Sequence, residues 1–221
     1  MNIKTKQMVG VGLFTAIVVV LQMLGGGIKF GMFSISLVLV PIVVGAAVYG
    51  WQAGAWLGFA FGVTVLLSGD AAAFMVIDPL ATVLVVLVKG TACGLVAGLV
   101  YKPVLNLLNT QTKKRILLLK THYGLGECCE QGVYDYISRN NRYFAVVAAA
   151  VVCPVINTGV FLLGCKMFFM ETVAAWGAAA GFENATSYMF IGLAGINFII
   201  ELGTNIFLAP VITRLISYAK K

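Results

Sequence analysis

Charged residues are scarce in this sequence, where they make up 10% of 221 residues and include only eight acidic side chains. A soluble domain is about one quarter charged and about half apolar, whereas 61% of this chain is hydrophobic. One core of this size cannot bury that much apolar surface, and the apolar residues come in long blocks. Because backbone polar groups have to be paired internally in lipid, such blocks predict membrane-spanning helices.

Histidine is almost absent as well, and its single occurrence, His122, lies in a polar segment. The sequence contains neither a His-Glu-x-x-His zinc motif nor a phosphate-binding loop of the Gly-x-x-x-x-Gly-Lys-Ser/Thr kind. We therefore predict that the protein is not an enzyme and has no catalytic residue, metal or cofactor. Without an ATP site on this chain, active transport would require a partner.

The apolar blocks predict an all-α, polytopic membrane bundle of six transmembrane helices, forming one integral membrane domain over residues 1–221. The polar, basic stretch 102–141 is predicted to be a cytoplasmic loop that lies along the membrane surface. A shorter loop, 171–184, is predicted before the last span. The six predicted spans cover residues 8–26, 35–49, 53–67, 80–101, 143–169 and 187–215.

Lysine and arginine are distributed unequally between the two sides of this bundle. With the N-terminus inside, 12 of the 15 basic residues fall on the inner side, two on the outer side, and Lys89 within a span. Basic residues concentrate on the cytoplasmic side, so the bias predicts an N-in, C-in protein with several passes through the cell membrane. The net charge of +7 then reflects topology and anionic headgroups, and no nucleic acid is expected as a partner.

Lys89 is the charged residue most in need of an explanation. It lies about nine residues into the fourth predicted span, or ~13 Å from the membrane edge. A charge at this depth costs several kcal/mol unless it is paired or hydrated, and such residues usually mark ligand or ion paths. Either a ligand contact or a structural ion pair with Glu201 would account for Lys89, and the two are compatible.

The last predicted span carries a row of polar side chains. Asn197, Glu201 and Asn205 recur every fourth residue, so they lie on one face of a helix that has to point away from lipid. In the fifth span, Asn157 follows Pro154, whose ring prevents one backbone hydrogen bond. These amides suit a ligand with carbonyl or hydroxyl groups, although hydrogen bonding between helices is the alternative. The predicted substrate-binding residues are Lys89, Asn157, Asn197 and Glu201.

Glycines form ladders with a four-residue spacing in two of the spans, at Gly54, Gly58 and Gly62 and again at positions 90, 94 and 98. Such ladders predict close helix packing within the molecule. A shorter row of small residues, Gly12 and Ala16, lies in the first span and predicts a smooth face for another membrane protein.

The chain resembles the substrate-binding S-components of energy-coupling factor (ECF) transporters, the vitamin-uptake branch of the ABC systems. The size, the six-span layout, the N-in topology and the basic character all agree. The family usually has alanine where Gly12 stands, and the stretch 102–141 is longer than expected. Three segments carry the resemblance: GLFTA at 12–16, SLVLVPIVVGA at 36–46 and VKGTACGLVAGLVYK at 88–102.

The resemblance implies a division of labour between subunits. The S-component would bind its vitamin from outside, with the loop 25–34 as a lid over the four predicted binding residues. Its first span would then dock, through Gly12 and Ala16, on a transmembrane coupling protein that two ABC ATPases carry. Toppling of the whole subunit in the membrane would deliver the substrate.

The identity of the ligand is less well defined by these residues. Lys89 favours an anion and the asparagines favour amides or hydroxyls, an inventory that pantothenate matches. An ion pair between Lys89 and Glu201 would remove the argument for an anion. The alternative function is a stand-alone secondary transporter or channel for a small polar solute, although the sequence has no internal repeat of the kind found in many secondary transporters.

Overall fold

The structure, a computed structural model, describes residues 3–25, 29–30, 33–34, 37–123 and 127–219. Helices make up almost all of this part of the chain, and one pair of two-residue strands is the exception. A π-helical segment, Tyr188–Gly195, joins the last two helices without a break. The elements are α1 (Ile3–Gly25), β1 (Lys29–Phe30), β2 (Phe33–Ser34), α2 (Leu39–Tyr49), α3 (Trp51–Leu67), α4 (Ala72–Met75), α5 (Pro79–Tyr123), α6 (Glu127–Phe168), α7 (Met170–Ala179), α8 (Ala185–Ser187) and α9 (Ile196–Ala219).

Four helical segments of the described chain are long and apolar enough to cross a membrane, which confirms the all-α membrane fold. They are α1, α5, α6 and the continuous run formed by α8, the π-helical segment and α9. The other two predicted spans correspond to shorter apolar helices, α2 with 11 residues and α3 with 17. At 1.5 Å per residue, α2 is only ~17 Å long, about half the thickness of the hydrocarbon core. The count of six spans therefore stays a prediction.

The shortest of these apolar helices, α2, lies at the centre of the bundle. Nearly every residue between Leu39 and Ala47 is buried, and α2 contacts α1, α3, α5, α6 and α9. Apart from its last residue, Tyr49, its sequence has no polar side chain on any face, a pattern typical of a helix enclosed on all sides. Because protein surrounds α2, it does not need the length of a lipid-facing span.

The glycine ladders bring α3 and α5 into backbone contact. A Cβ atom added at Gly58 would collide with the backbone carbonyl of Gly90, and one added at Gly94 would collide with the carbonyl of Gly54. Only residues without side chains allow two helices to approach this closely. The predicted packing of the ladders within the molecule is confirmed.

The prediction of a surface loop over residues 102–141 is wrong, because this stretch is helical. Helix α5 continues to Tyr123 and α6 begins at Glu127, so the two helices have 45 and 42 residues and lengths of ~68 and ~63 Å. Polar composition suggested a loop, but this part of α5 has an inward stripe of helical spacing. The stripe consists of Tyr101, Leu105, Leu108, Thr112 and Ile116. This part of α5 packs on α6. We call residues 102–123 and 127–141 together the helical hairpin. Its cytoplasmic location stays a prediction.

Two further connections differ from their prediction or lie partly beyond the described chain. The segment 171–184 is mostly helical, because α7 runs to Ala179. Half of the predicted lid 25–34 lies outside the described residues, and the described half comprises Gly25 and the strands β1 and β2. These strands pair antiparallel, with Lys29 opposite Ser34 and Phe30 opposite Phe33.

Candidate functional site

A cavity opens at the end of the bundle that is remote from the helical hairpin. The C-terminal ends of α1, α3 and α6 meet there with α4, the first turns of α5, the π-helical segment and the start of α9. The empty space amounts to about 820 Å³ when the open side is counted. The volume open to the centre of a water molecule is about 80 Å³, so the enclosed part of the cavity is small.

All four predicted binding residues line this one cavity. Lys89 comes from α5, Asn157 from α6, and Asn197 and Glu201 from α9. The structure thus brings together residues separated by as many as 112 positions in the sequence, 89 to 201. Their contact with a ligand stays a prediction. Asn205, one turn beyond Glu201, is not among the lining residues, and its side-chain amide donates to the Glu201 carbonyl at 2.8 Å.

Two carboxylates interact electrostatically with Lys89, and an aromatic ring lies close to its ammonium group. Glu201 is its strongest charged neighbour, and Asp70 also acts on it. The ammonium Nζ stands 5.2 Å from the centre of the Phe161 ring, within range of a cation–π interaction. A cation in apolar surroundings needs such compensation, which explains how α5 tolerates a lysine at this depth.

Sequence analysis missed four polar residues of the cavity, Gln22, Asp70, Thr82 and Thr158, and the first two are hydrogen-bonded to each other. Gln22 on α1 is only 2% exposed, and its Nε2 donates to Oδ2 of Asp70 at 2.6 Å. The Ser68 hydroxyl donates to the same oxygen at 3.2 Å. Asp70 follows α3 and has no helical pattern to mark it, but Gln22 could have been found, because a side-chain amide inside an apolar span requires an internal partner.

Phenylalanine rings form much of the remaining cavity wall. Phe74 on α4 is the centre of an aromatic cluster, with ring centroids 5.7 Å from Phe161, 5.1 Å from Phe169 and 5.3 Å from Trp176, all edge-to-face. Edge-to-face packing is the geometry that the charge distribution of aromatic rings favours. The lining phenylalanines are Phe61, Phe74, Phe161, Phe169 and Phe198.

Two asparagines of the cavity have unsatisfied atoms. The side-chain oxygens of Asn157 and Asn197 are buried and have no hydrogen-bond partner within the described chain. A buried acceptor without a partner is costly, so native proteins rarely keep one without a reason. No group of three or more His, Cys, Asp or Glu side chains that could hold a metal ion occurs among the described residues.

The predicted docking residues lie far from these polar groups, on the outward face of α1. Both Gly12 and Ala16 are exposed, and a Cβ atom added at Gly12 would meet no atom within 4 Å. Large apolar side chains of the same helix, such as Leu13 and Val20, are more than half exposed. The face of α1 is thus open to lipid or to another membrane protein.

Comparison with protein families adds one match. The model of a family described as "ECF transporter, substrate-specific component" matches residues 6–213, nearly the whole chain. No curated protein and no solved structure gives a match. The matched range includes both the cavity residues and the exposed face of α1.

Proposed function

The chain belongs to the family of substrate-specific components of ECF transporters, and from that membership we propose that it captures a small vitamin or related micronutrient from outside the cell. It is a multi-pass membrane protein and the substrate-binding subunit of a transporter, which is not an enzyme class. The observation that carries the proposal is the convergence of Lys89, Asn157, Asn197 and Glu201 on one cavity.

The proposed topology has six spans, with α2 and α3 completing the four long helices. If the N-terminus of α1 is inside, its C-terminal end, and with it the cavity, lies on the outer side. The helical hairpin then extends into the cytoplasm, where most of the lysines and arginines would stand. The cavity end and the basic end are opposite ends of the same bundle, and this agreement supports capture from outside.

Within this proposal the ligand contacts the four cavity residues directly. An anionic, pantothenate-like ligand would pair its carboxylate with Lys89 and its amide and hydroxyls with the asparagines. Such an anion has to compete with Glu201, the strongest charged neighbour of Lys89. Replacement of Lys89 by alanine tests this form of the proposal, and an unchanged affinity for the anion would contradict it.

Delivery of the substrate is proposed to need a membrane-embedded coupling protein with two ABC ATPases. The exposed small-residue face of α1, at Gly12 and Ala16, supports this because nothing in the described chain covers it. Gly12→Leu would put a branched side chain on the proposed contact face. Gly203→Leu is the matched control, since Gly203 on α9 is also exposed with no atom near its Cβ position. We expect copurification of the coupling protein to be lost with the first variant and kept with the second.

Calorimetry of a vitamin panel with the purified protein in detergent, without any ATPase, tests the capture step. Tight binding of one compound is expected, because the family separates substrate capture from ATP hydrolysis. Uptake of that compound by cells is then compared with and without the coupling module. Uptake that persists without the module would favour a stand-alone transporter or channel and contradict the proposed partnership.

A further inference from the structure

The charged residues of the cavity form one network in which every charge has partners. The Lys89 ammonium interacts electrostatically with both carboxylates, most strongly with Glu201 and also with Asp70. Asp70 in addition accepts hydrogen bonds from the Gln22 side-chain amide at 2.6 Å and from the Ser68 hydroxyl at 3.2 Å. A buried charge is tolerated when it is paired and hydrogen-bonded, so this network explains how an apolar bundle accommodates three ionisable side chains.

The members of the network come from four parts of the bundle. Gln22 belongs to α1, Ser68 and Asp70 to the turn after α3, Lys89 to α5 and Glu201 to α9. Removal of one member of such a network leaves a buried charge with too few partners, which is strongly destabilising. The network therefore connects the walls of the cavity to one another, and this role does not depend on a ligand.

A charged ligand would disturb the network whichever sign it carried. An anion would compete with Glu201 and Asp70 for the ammonium of Lys89. A cation would have to approach the same two carboxylates against the repulsion of that ammonium, which the low dielectric of the site strengthens. An uncharged ligand leaves all of these interactions in place.

The two asparagines of the cavity offer hydrogen-bond acceptors that the network does not use. The side-chain oxygens of Asn157 on α6 and Asn197 on α9 are buried and have no hydrogen-bond partner in the described chain. An N–H or O–H group of a ligand would satisfy such an acceptor, whereas a carboxylate has no hydrogen to donate. The asparagines thus favour a ligand that donates hydrogen bonds.

The remaining wall of the cavity is largely apolar and adds a second reason against a cation. Phenylalanine side chains approach the cavity from α3, α4, α6 and α9. The Phe161 ring already attracts the Lys89 ammonium, whose Nζ stands 5.2 Å from the ring centre. A second cation at this ring would be repelled by the first. Walls of this kind suit an organic molecule with an apolar body and a few polar groups.

We propose that the cavity takes an uncharged organic molecule whose N–H or O–H groups donate to Asn157 and Asn197, while Lys89 serves as the counter-charge of Glu201 and Asp70. This inference rests on the proposed function and narrows its ligand class to compounds without a carboxylate or an ammonium group. It gives Lys89 a positioning role in the cavity wall, in place of the direct ligand contact expected from the sequence.

The compound that copurifies with the protein from cells grown in rich medium gives the first test. The compound is released by denaturation, identified by mass spectrometry and subjected to paper electrophoresis near neutral pH. A compound that stays at the origin is expected. A tightly bound compound that migrates to either electrode would refute the ligand class and leave the capture function intact. Absence of any bound compound, from the medium or from the vitamin panel, would instead remove the capture function and the inference with it.

Matched pairs of compounds test the charge preference directly. Pantothenol and pantothenate differ in a hydroxymethyl group against a carboxylate, and nicotinamide and nicotinate differ in an amide against a carboxylate. In calorimetry on the ligand-stripped protein, the uncharged member of a pair that binds should have an affinity at least about tenfold higher. The copurified compound is compared in the same way with its carboxylate analogue. Tighter binding of the charged member would overturn the inference.

A double-mutant cycle tests the role of Lys89. Lys89→Met keeps a long side chain but removes the ammonium shared by the two carboxylates, so melting temperature and ligand affinity should both fall. Addition of Glu201→Gln removes one carboxylate charge and should restore part of both losses, because less unpaired charge remains in the wall. If the ammonium instead bound the ligand, the double variant would bind no better than the single one, and that result would overturn the positioning role.

Asn197→Ala tests the proposed ligand contact on α9, with Asn205→Ala as the matched control. Asn205 lies on the same face of α9 but not among the lining residues, and its amide donates to the Glu201 carbonyl at 2.8 Å. Asn197→Ala should lower ligand affinity about tenfold with little change in melting temperature, whereas Asn205→Ala should lower melting temperature more than affinity. Equal losses of affinity in the two folded variants would overturn the contact assigned to Asn197.

Discussion

Helices α5 and α6 run through both the cavity end and the helical hairpin, but polar side chains are compensated differently in the two regions. Between residues 102 and 142 the chain has seven basic and three acidic residues, whereas the first 23 residues of α5, up to Tyr101, contain Lys89 as their one charge. Polar groups in the hairpin can be solvated by water. Polar groups near the cavity have to be compensated by protein or by a ligand.

Two asparagines of α6, one at each end, differ in how their side chains are hydrogen-bonded. In the hairpin, the buried Asn141 donates to Asn109 Oδ1 at 3.0 Å and to Thr112 Oγ1 at 2.8 Å, which ties α6 to α5. At the cavity, Asn157 is similarly buried, but its side-chain oxygen has no partner in the described chain. A satisfied amide stabilises the fold, and an unsatisfied one next to an open cavity is available for a ligand.

The largest effect is expected from a substitution that affects both ends at once, at the contact between α3 and α5. Gly90→Leu would drive a side chain into the backbone of α3 at Gly58, at a cost at or above about 3 kcal/mol. We expect loss of the monodisperse peak in size-exclusion chromatography and of all ligand binding. Gly203→Leu, at an open position of α9, should leave both unchanged. A stable Gly90→Leu protein would refute the role of the ladder.

Local sequence patterns predict most of the helices of this fold. The helical hairpin is the exception, and there is a physical reason for it. Apolar blocks predict the helices, and the four-residue glycine spacing predicts close helix packing within the molecule, which the structure places between α3 and α5. The charged residues of the hairpin indicate a loop, whereas the buried stripe from Tyr101 to Ile116 indicates the helix that the structure has. Polarity reports the surrounding solvent, whereas periodicity reports the secondary structure.

Some residues of the candidate site can likewise be predicted from the sequence, and others cannot. Lys89 and Glu201 could be found from sequence because a charge inside an apolar span always needs an explanation. Asp70 could not be assigned, since it follows α3 in an ordinary turn and only the tertiary fold brings Gln22 of α1 to it. The phenylalanines carried no signal either, because aromatic residues are common throughout membrane helices.

The next largest effect is expected from Asn157→Ala, which tests the difference between the side chains of Asn157 and Asn141. Asn157→Ala removes a proposed ligand contact, so affinity for the captured compound should fall about tenfold, as expected for the loss of one or two buried hydrogen bonds. The melting temperature should change little, because the side-chain oxygen has no partner in the described chain to lose. Calorimetry and thermal unfolding in detergent measure the two quantities. A large loss of stability with unchanged affinity would reverse the roles assigned to the two ends.

A smaller effect is expected from Gln22→Ala, which removes the 2.6 Å hydrogen bond to Asp70 without touching the carboxylate itself. Asp70 would remain in the cavity but with greater freedom, so ligand affinity should fall by about threefold to tenfold, less than the loss of a direct hydrogen bond to a charged group would cost. Thr15→Ala is the matched control on α1, because the Thr15 hydroxyl bonds to the Val11 carbonyl outside the cavity. Equal effects of the two variants would mean that Gln22 acts only through the packing of α1.

The smallest effect on ligand binding is expected at the hairpin, with Asn141→Ala. Loss of the bonds to Asn109 and Thr112 should destabilise the hairpin by about 1–3 kcal/mol, and backbone amides of residues 102–123 should exchange faster with deuterium. Affinity for the captured compound should stay the same, because the hairpin is remote from the cavity. Asn140→Ala is the control, since this neighbouring asparagine is exposed and the same gain in helix propensity applies. If Asn141→Ala lowered ligand affinity as much as Asn157→Ala does, the two ends would be energetically coupled, and their separation into a structural region and a binding region would be wrong.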